Sequence, residues 1–210
     1  MTIGKGTSWG FPGTLTPDSP TFANDADLVA FLDKALAEIV VDSSISPPTI
    51  SPIALTGGAL WRTIGGPGVA GRYKTADARH YPCDLAVADA DGVRRVFVAS
   101  LVARNRWWTR AAVVMNAQEM GAYRFGHRAH PGDALLDTYE AHIAFRDVHK
   151  VAKRAKLGSH LPHPGITERR VPNASFTFDL PRQLWLDERR VGTVEQLTVT
   201  VVPDAFIVVI

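Results

Sequence analysis

Arg146, His149, Lys150, Lys153, Arg154 and Lys156 fall within eleven residues. Five cations around a narrow apolar stripe could meet anionic headgroups, each contributing about 1 kcal/mol near a charged surface. The plainer alternative is a solvated helix face that packs its Val and Ala side on a sheet. Trp107 and Trp108, flanked by Arg104, Arg106 and Arg110, either cap an apolar cleft or form a half-buried hairpin tip. A polar loop between residues 124 and 133 gathers Arg124, His127, Arg128, His130 and Asp133. Near the start, Gly6, Thr7 and Ser8 could give N–H and hydroxyl donors to a phosphate, or they are an ordinary loop. The glycines at 57, 58, 65, 66 and 68 make no P-loop or dinucleotide fingerprint and are read as turns. The histidines have no Cys or acidic partner at metal-ligand spacing. Cys83, beside Pro82, is read as a small buried residue rather than a nucleophile.

These residues need elements to position them. Asn24 or Asp25 is a good N-cap, and Leu28, Phe31, Leu32, Ala35, Leu36 and Ile39 recur at helical spacing, which predicts a helix over 25–40. Residues 43–52, with Pro47, Pro48 and Pro52, read as an extended connector. Beyond them, short apolar or alternating runs separated by Gly, Pro and Asp predict antiparallel strands. The runs lie at 53–55, 60–63, 85–88, 95–104, 111–115, 135–142, 174–179, 183–186, 196–202 and 206–210. A hairpin is expected at Asp89, Asp91 and Gly92, and the last one at Pro203 and Asp204. A second helix is expected over 147–157, stopped by Gly158. The fold class expected is therefore mainly β, an antiparallel β-sandwich with one N-terminal and one internal helix.

At 210 residues the chain suits one domain, which buries roughly 70% of its unfolded surface. A single cysteine excludes an internal disulfide framework, and the first residues lack the layout of a signal peptide. No apolar run reaches spanning length. A cytoplasmic protein is expected. The net charge of +2 falls short of the footprint of a nucleic-acid binder, so no nucleic acid is expected as partner.

Two segments resemble the second domain of the bacterial diacylglycerol kinase-like lipid kinases. The first runs Val114, Met115, Asn116, then Pro131, Gly132, Asp133, Ala134, Leu135, Leu136, Asp137, similar to a strand ending in Asn and a Pro-Asp-Asp-Gly-Leu-Leu-Asp motif. The second has His163 and Pro164, then Leu186, Asp187, Glu188, Arg189, similar to a His-Pro and a Leu-Asp-Gly-Glu turn. A weaker likeness joins Gly6, Thr7 and Phe11 to the Gly-Thr-Gly-Asn-Asp-Phe that closes the family's nucleotide domain. The resemblance implies two parts: residues 1–20 as a loop or remnant of the nucleotide-domain edge, and 21–210 as the β-sandwich.

It also implies roles. Asp133 would hold the cation, Asp187 or Glu188 would accept the proton of the lipid hydroxyl, and Gly6 and Thr7 would touch phosphate. Against these, Gly132 and Ala134 replace an Asp and a Gly of the family, and Glu188 and Arg189 replace a Gly and a Glu. The family's Gly-Gly-Asp-Gly-Thr phosphate loop has no counterpart in the chain. Phosphoryl transfer depends on such a cradle, so Mg²⁺ and ATP are expected only with a partner domain. Two functions stay open. Either the chain is weak or inactive alone and binds a lipid or protein, or it is the lipid-side half of an active diacylglycerol kinase completed by a separate nucleotide-binding chain or an upstream segment. Arg146, Lys150, Lys153 and Arg154 are the candidate contact for a lipid surface at the inner face of the membrane, beside the alternative of a solvated helix face.

Overall fold

A computed structural model describes residues 9–39 and 51–210. Gly6 and Thr7, read as phosphate contacts, lie outside the described residues. So does most of the proline-rich connector. The elements are β1 (Phe11–Pro12), β2 (Thr21–Phe22), α1 (Asp25–Ile39), β3 (Ile53–Leu55), α2 (Gly58–Thr63), β4 (Arg79–Ala90), β5 (Val93–Phe97), β6 (Ser100–Arg104), β7 (Arg110–Met115), β8 (Leu136–His142), α3 (Phe145–Ala155), β9 (Ile166–Val171), β10 (Asn173–Leu186) and β11 (Arg189–Val209).

The chain is mainly antiparallel β, as the spacing of its apolar runs predicts. Strands pair in the order β1-β4-β11-β10-β6-β7-β8-β9, with β5 added to β4. Among the described residues only the β2–β3 and β3–β11 pairs are parallel. The sheet closes over its own apolar face. Ala86 and Ala88 of β4, Leu197 and Val199 of β11 and Leu184 of β10 meet Leu101, Ala112, Val114 and Leu136 from β6, β7 and β8 in one core. Period-two alternation then sends Val102, Ala111, Val113 and Met115 to the opposite face, where Val151 and Ala155 of α3 cover them. A third core, built from Leu28 and Leu32 of α1, Leu60 of α2, β3 and the end of β11, seals the other end.

Four sequence expectations are altered. Residues 60–63 form part of helix α2 rather than a strand, because the Asp25 carboxylate accepts the Ala59 and Leu60 N–H groups at 2.5 and 3.3 Å and satisfies the start of the helix from a distant element. The run at 95–104 is broken into β5 and β6. No terminal hairpin forms at Pro203 and Asp204; β11 passes through them with a register shift between Val202 and Phe206, and the Asp204 N–H donates to Asp84 Oδ1 at 3.0 Å. Finally β9, sequence ITERRV, was hidden by its charge, since only Ile166 of the six is fully buried.

Candidate functional site

The turn joining β10 to β11 consists of Asp187 and Glu188, both left-handed with φ of 43° and 66°. Two consecutive residues of positive φ match the twist of a tight hairpin, and Gly or Asn usually supplies them. Here Asp187 holds the turn by its side chain. Its carboxylate accepts the N–H groups of Val98, Ala99 and Ser100 at 3.0, 2.8 and 2.9 Å. Burial, opposed by these amides, pushes its pKa up to about 7. The same bonds explain the break between β5 and β6, because Val98 and Ala99 spend their donors on Asp187. Asp187 therefore faces the protein interior. Glu188 points the other way, and its Oε1 accepts the Gly121 N–H at 2.8 Å. The carbonyl of Gly121 accepts from Arg62, whose Nε pairs with Glu119.

Glu188 lines a cavity of about 350 Å³ with Ser100, Arg104, Trp108 and Trp185. Across Trp108, Met120 and Tyr123, which border both, lies a second cavity of about 280 Å³. Its walls are almost wholly apolar: Ala111 and Val113 of β7, Ala141 of β8, and Val148, Val151, Ala152 and Ala155 of α3. Four alanines between a sheet and a helix leave room that larger side chains would fill. Apolar cavities of this kind stay dry and accept apolar ligands, and sites for small molecules run from roughly 300 to 1,000 Å³.

Outside the cavity, α3 presents Arg146, Lys150, Lys153 and Arg154 to solvent. Trp107 and Phe145 are exposed beside it and meet edge to face with ring centroids 5.6 Å apart. Thus Trp107 is exposed at the tip, and Trp108 lines the cavity.

The acidic loop is organised differently. Asp133 Oδ2 pairs with Arg170 Nη2, and Asp137 Oδ1 lies 3.5 Å from Arg170 Nε. Asp137 is buried, 1% exposed, and burial pushes its pKa up to about 6. Asp84, also raised to about 6 by burial, receives the Ala134 N–H at 2.7 Å. The carboxylates are thus tied to a guanidinium and to backbone amides. Among the described residues no group of three or more His, Cys, Asp or Glu converges as metal ligands. Asp133, expected to hold a cation, has its carboxylate engaged by the Arg170 guanidinium. Gly132 also has a reason of its own: a Cβ there would lie 2.6 Å from Trp9 Nε1, which donates to the Pro82 carbonyl. Trp9 occupies the room that an Asp at 132 would need.

The structure brings Glu188, Arg104, Trp108 and the basic helix to one region and leaves Asp133 in another. The roles of three residues escaped the sequence reading, Asp25 having been read only as a helix cap. Asp25 and Asp84 act as long-range acceptors; an acid inside the apolar run Cys83 to Ala88 was the available signal for the second. Trp185, in β10, carried none.

No protein-family model and no curated protein matches the sequence. Among solved structures the fold is shared with a diacylglycerol kinase from Bacillus anthracis str. Sterne, with a TM-score of 0.50 and 14% identity over 77% of this chain and 68% of that one. Two further structures from that organism, provisionally assigned as diacylglycerol kinases, give TM-scores of 0.52 and 0.53 at 13% and 11% identity, covering 75% and 77% of this chain and 68% and 70% of theirs. Identities this low establish the fold alone, which is diacylglycerol kinase-like.

Proposed function

We propose that this chain is the lipid-binding side of a diacylglycerol kinase-like protein and does not transfer phosphate efficiently by itself. The observation that carries the reading is the pair of adjoining cavities, an apolar one beneath α3 and a partly polar one at Glu188. An acyl chain fits the first and a headgroup the second. The basic face of α3, with Arg146, Lys150, Lys153 and Arg154, would rest on an anionic bilayer and set the cavity against the lipid supply. Among the described residues no helix is long and apolar enough to cross a membrane. Contact would be peripheral, through that face.

Glu188 favours a second reading in which catalysis occurs once a separate nucleotide-binding chain or segment supplies ATP and Mg²⁺. Its carboxylate lines the cavity where a headgroup hydroxyl would sit, while the oxygens of Asp187 are taken up by three amides. A general base must stand within hydrogen-bond reach of its proton, and of the two only Glu188 lines the cavity.

One experiment addresses both. The purified chain is mixed with diacylglycerol in anionic vesicles, and binding is followed together with phosphate transfer from labelled ATP and Mg²⁺. Binding with negligible turnover is expected. Absence of lipid binding overturns the reading, and turnover abolished by Glu188→Gln would replace it with the catalytic one.

A further inference from the structure

The outer cavity is lined by a cation that has no ion-pair partner among the described residues. Arg104, at the end of β6, lies between two indoles, its guanidinium carbon 4.6 Å from the Trp108 ring centroid and 5.5 Å from that of Trp185. Among the described residues no carboxylate lies within ion-pair distance of it. Its Nη1 donates only to the neighbouring carbonyls of Asn105 and Arg106, at 3.2 and 3.4 Å. The charge that acts on it most is another cation, Arg190. On the same wall the Trp185 Nε1–H is buried without an acceptor. Glu188, the carboxylate that lines this cavity, is engaged by the Gly121 N–H.

A buried donor without an acceptor is costly, and Trp185 Nε1 is one. Beside it the partly exposed Arg104 guanidinium lines the same cavity. A guanidinium held beside two rings has less freedom to lose when it binds an oxyanion. An anion in this cavity would give both donors an acceptor.

We infer that the outer cavity holds the anionic headgroup of an amphiphile whose acyl chain occupies the cavity beneath α3, with Arg104 as counter-charge and Trp185 Nε1 as a second donor. The inference rests on the lipid-binding reading above and adds to it the charge of the headgroup. A carboxylate and a phosphate share this chemistry. With Glu188 in the same cavity, a singly charged carboxylate meets less repulsion than a doubly charged phosphate.

Calorimetric titration of the full chain tests this with three ligands that share one acyl chain: oleate, 1-oleoylglycerol 3-phosphate and neutral 1-monooleoylglycerol, each kept below its aggregation concentration. The anionic ligands should bind ten- to a hundredfold more tightly than the neutral one, the range expected of hydrogen bonds to a charged group. Tighter binding of oleate assigns a carboxylate, and tighter binding of the glycerol phosphate assigns a phosphate. Arg104→Gln should bring the anionic ligands down to the level of the neutral one while leaving the neutral one unchanged, and Arg104→Lys should keep part of the preference. Equal binding of all three by the unmodified chain overturns the headgroup inference and leaves the acyl cavity standing. So does an equal loss for all three in Arg104→Gln, which would mark Arg104 as structural. Binding of none of the three removes both.

Discussion

Asp187 and Ser100 hold each other through two hydrogen bonds: the Asp187 N–H donates to the Ser100 carbonyl at 2.8 Å, and the Ser100 N–H donates to Asp187 Oδ1 at 2.9 Å. This reciprocal pair fastens the β10–β11 turn to the corner between β5 and β6. It aims the next side chain, Glu188, at the cavity.

Asp187→Ala should therefore destabilise the chain by about 3 kcal/mol or more, because three backbone donors lose their acceptor in a buried place. Urea unfolding gives the value. A loss under about 1 kcal/mol would contradict the clamp.

Ala134 is left-handed, with φ of 60°. A side chain in that region costs roughly 1–2 kcal/mol, partly offset by the greater unfolded freedom of glycine. Ala134→Gly keeps the N–H that Asp84 accepts and should stabilise the chain by about 0.5–1 kcal/mol. The same unfolding experiment, run beside the unmodified protein, measures it.

His160 is buried and stacked on Phe125 with centroids 4.3 Å apart, and neither ring nitrogen has a partner. Burial, assisted by the charge of His127, lowers its pKa to about 4. A folded pKa below the unfolded one gives stability that is present above about 6.5 and is lost as pH falls toward 4. Asp84 and Asp137, both raised to about 6, act in the opposite sense, so the informative quantity is a difference between proteins. Relative to the unmodified chain, His160→Phe should gain roughly 1–3 kcal/mol as pH is lowered from 7 to 4. Parallel stability profiles would show that His160 does not titrate on unfolding.

Ala152 borders the cavity beneath α3. Replacing it with Phe fills the space that an acyl chain would take. Binding of the three oleoyl ligands should fall at least tenfold while stability changes by no more than about 1–3 kcal/mol, the usual effect of added core volume. Unaltered affinity would place the chain elsewhere.

Lys150 and Arg146 share Asp147 as an ion-pair partner, whereas Lys153 is exposed further along the same face. Neutralising Arg146, Lys150 and Lys153 to Gln should weaken partition onto anionic vesicles by about a hundredfold at low salt and leave neutral vesicles unaffected. Sedimentation with vesicles of both kinds reads this out. Equal partition before and after the change would assign α3 to solvent alone.

Much of this protein was legible from its amino-acid order. The continuous apolar run from Ala111 to Met115 and helical spacing from Leu28 to Leu32 are local properties, and both elements formed where the pattern put them. The basic face of α3 was likewise written in the spacing of residues 146 to 156. Contacts between distant residues were not. Asp25 turned a strand-like run into α2 from more than thirty residues away, Asp187 split β5 from β6, and Arg170 came to Asp133 on a strand whose charge concealed it. The cavity beneath α3 belongs to the same category, since small side chains create space only after a helix is laid over them. Local pattern decides which face of a segment is apolar. Which buried donor meets which acceptor depends on how the chain returns on itself, and only the folded arrangement settles that.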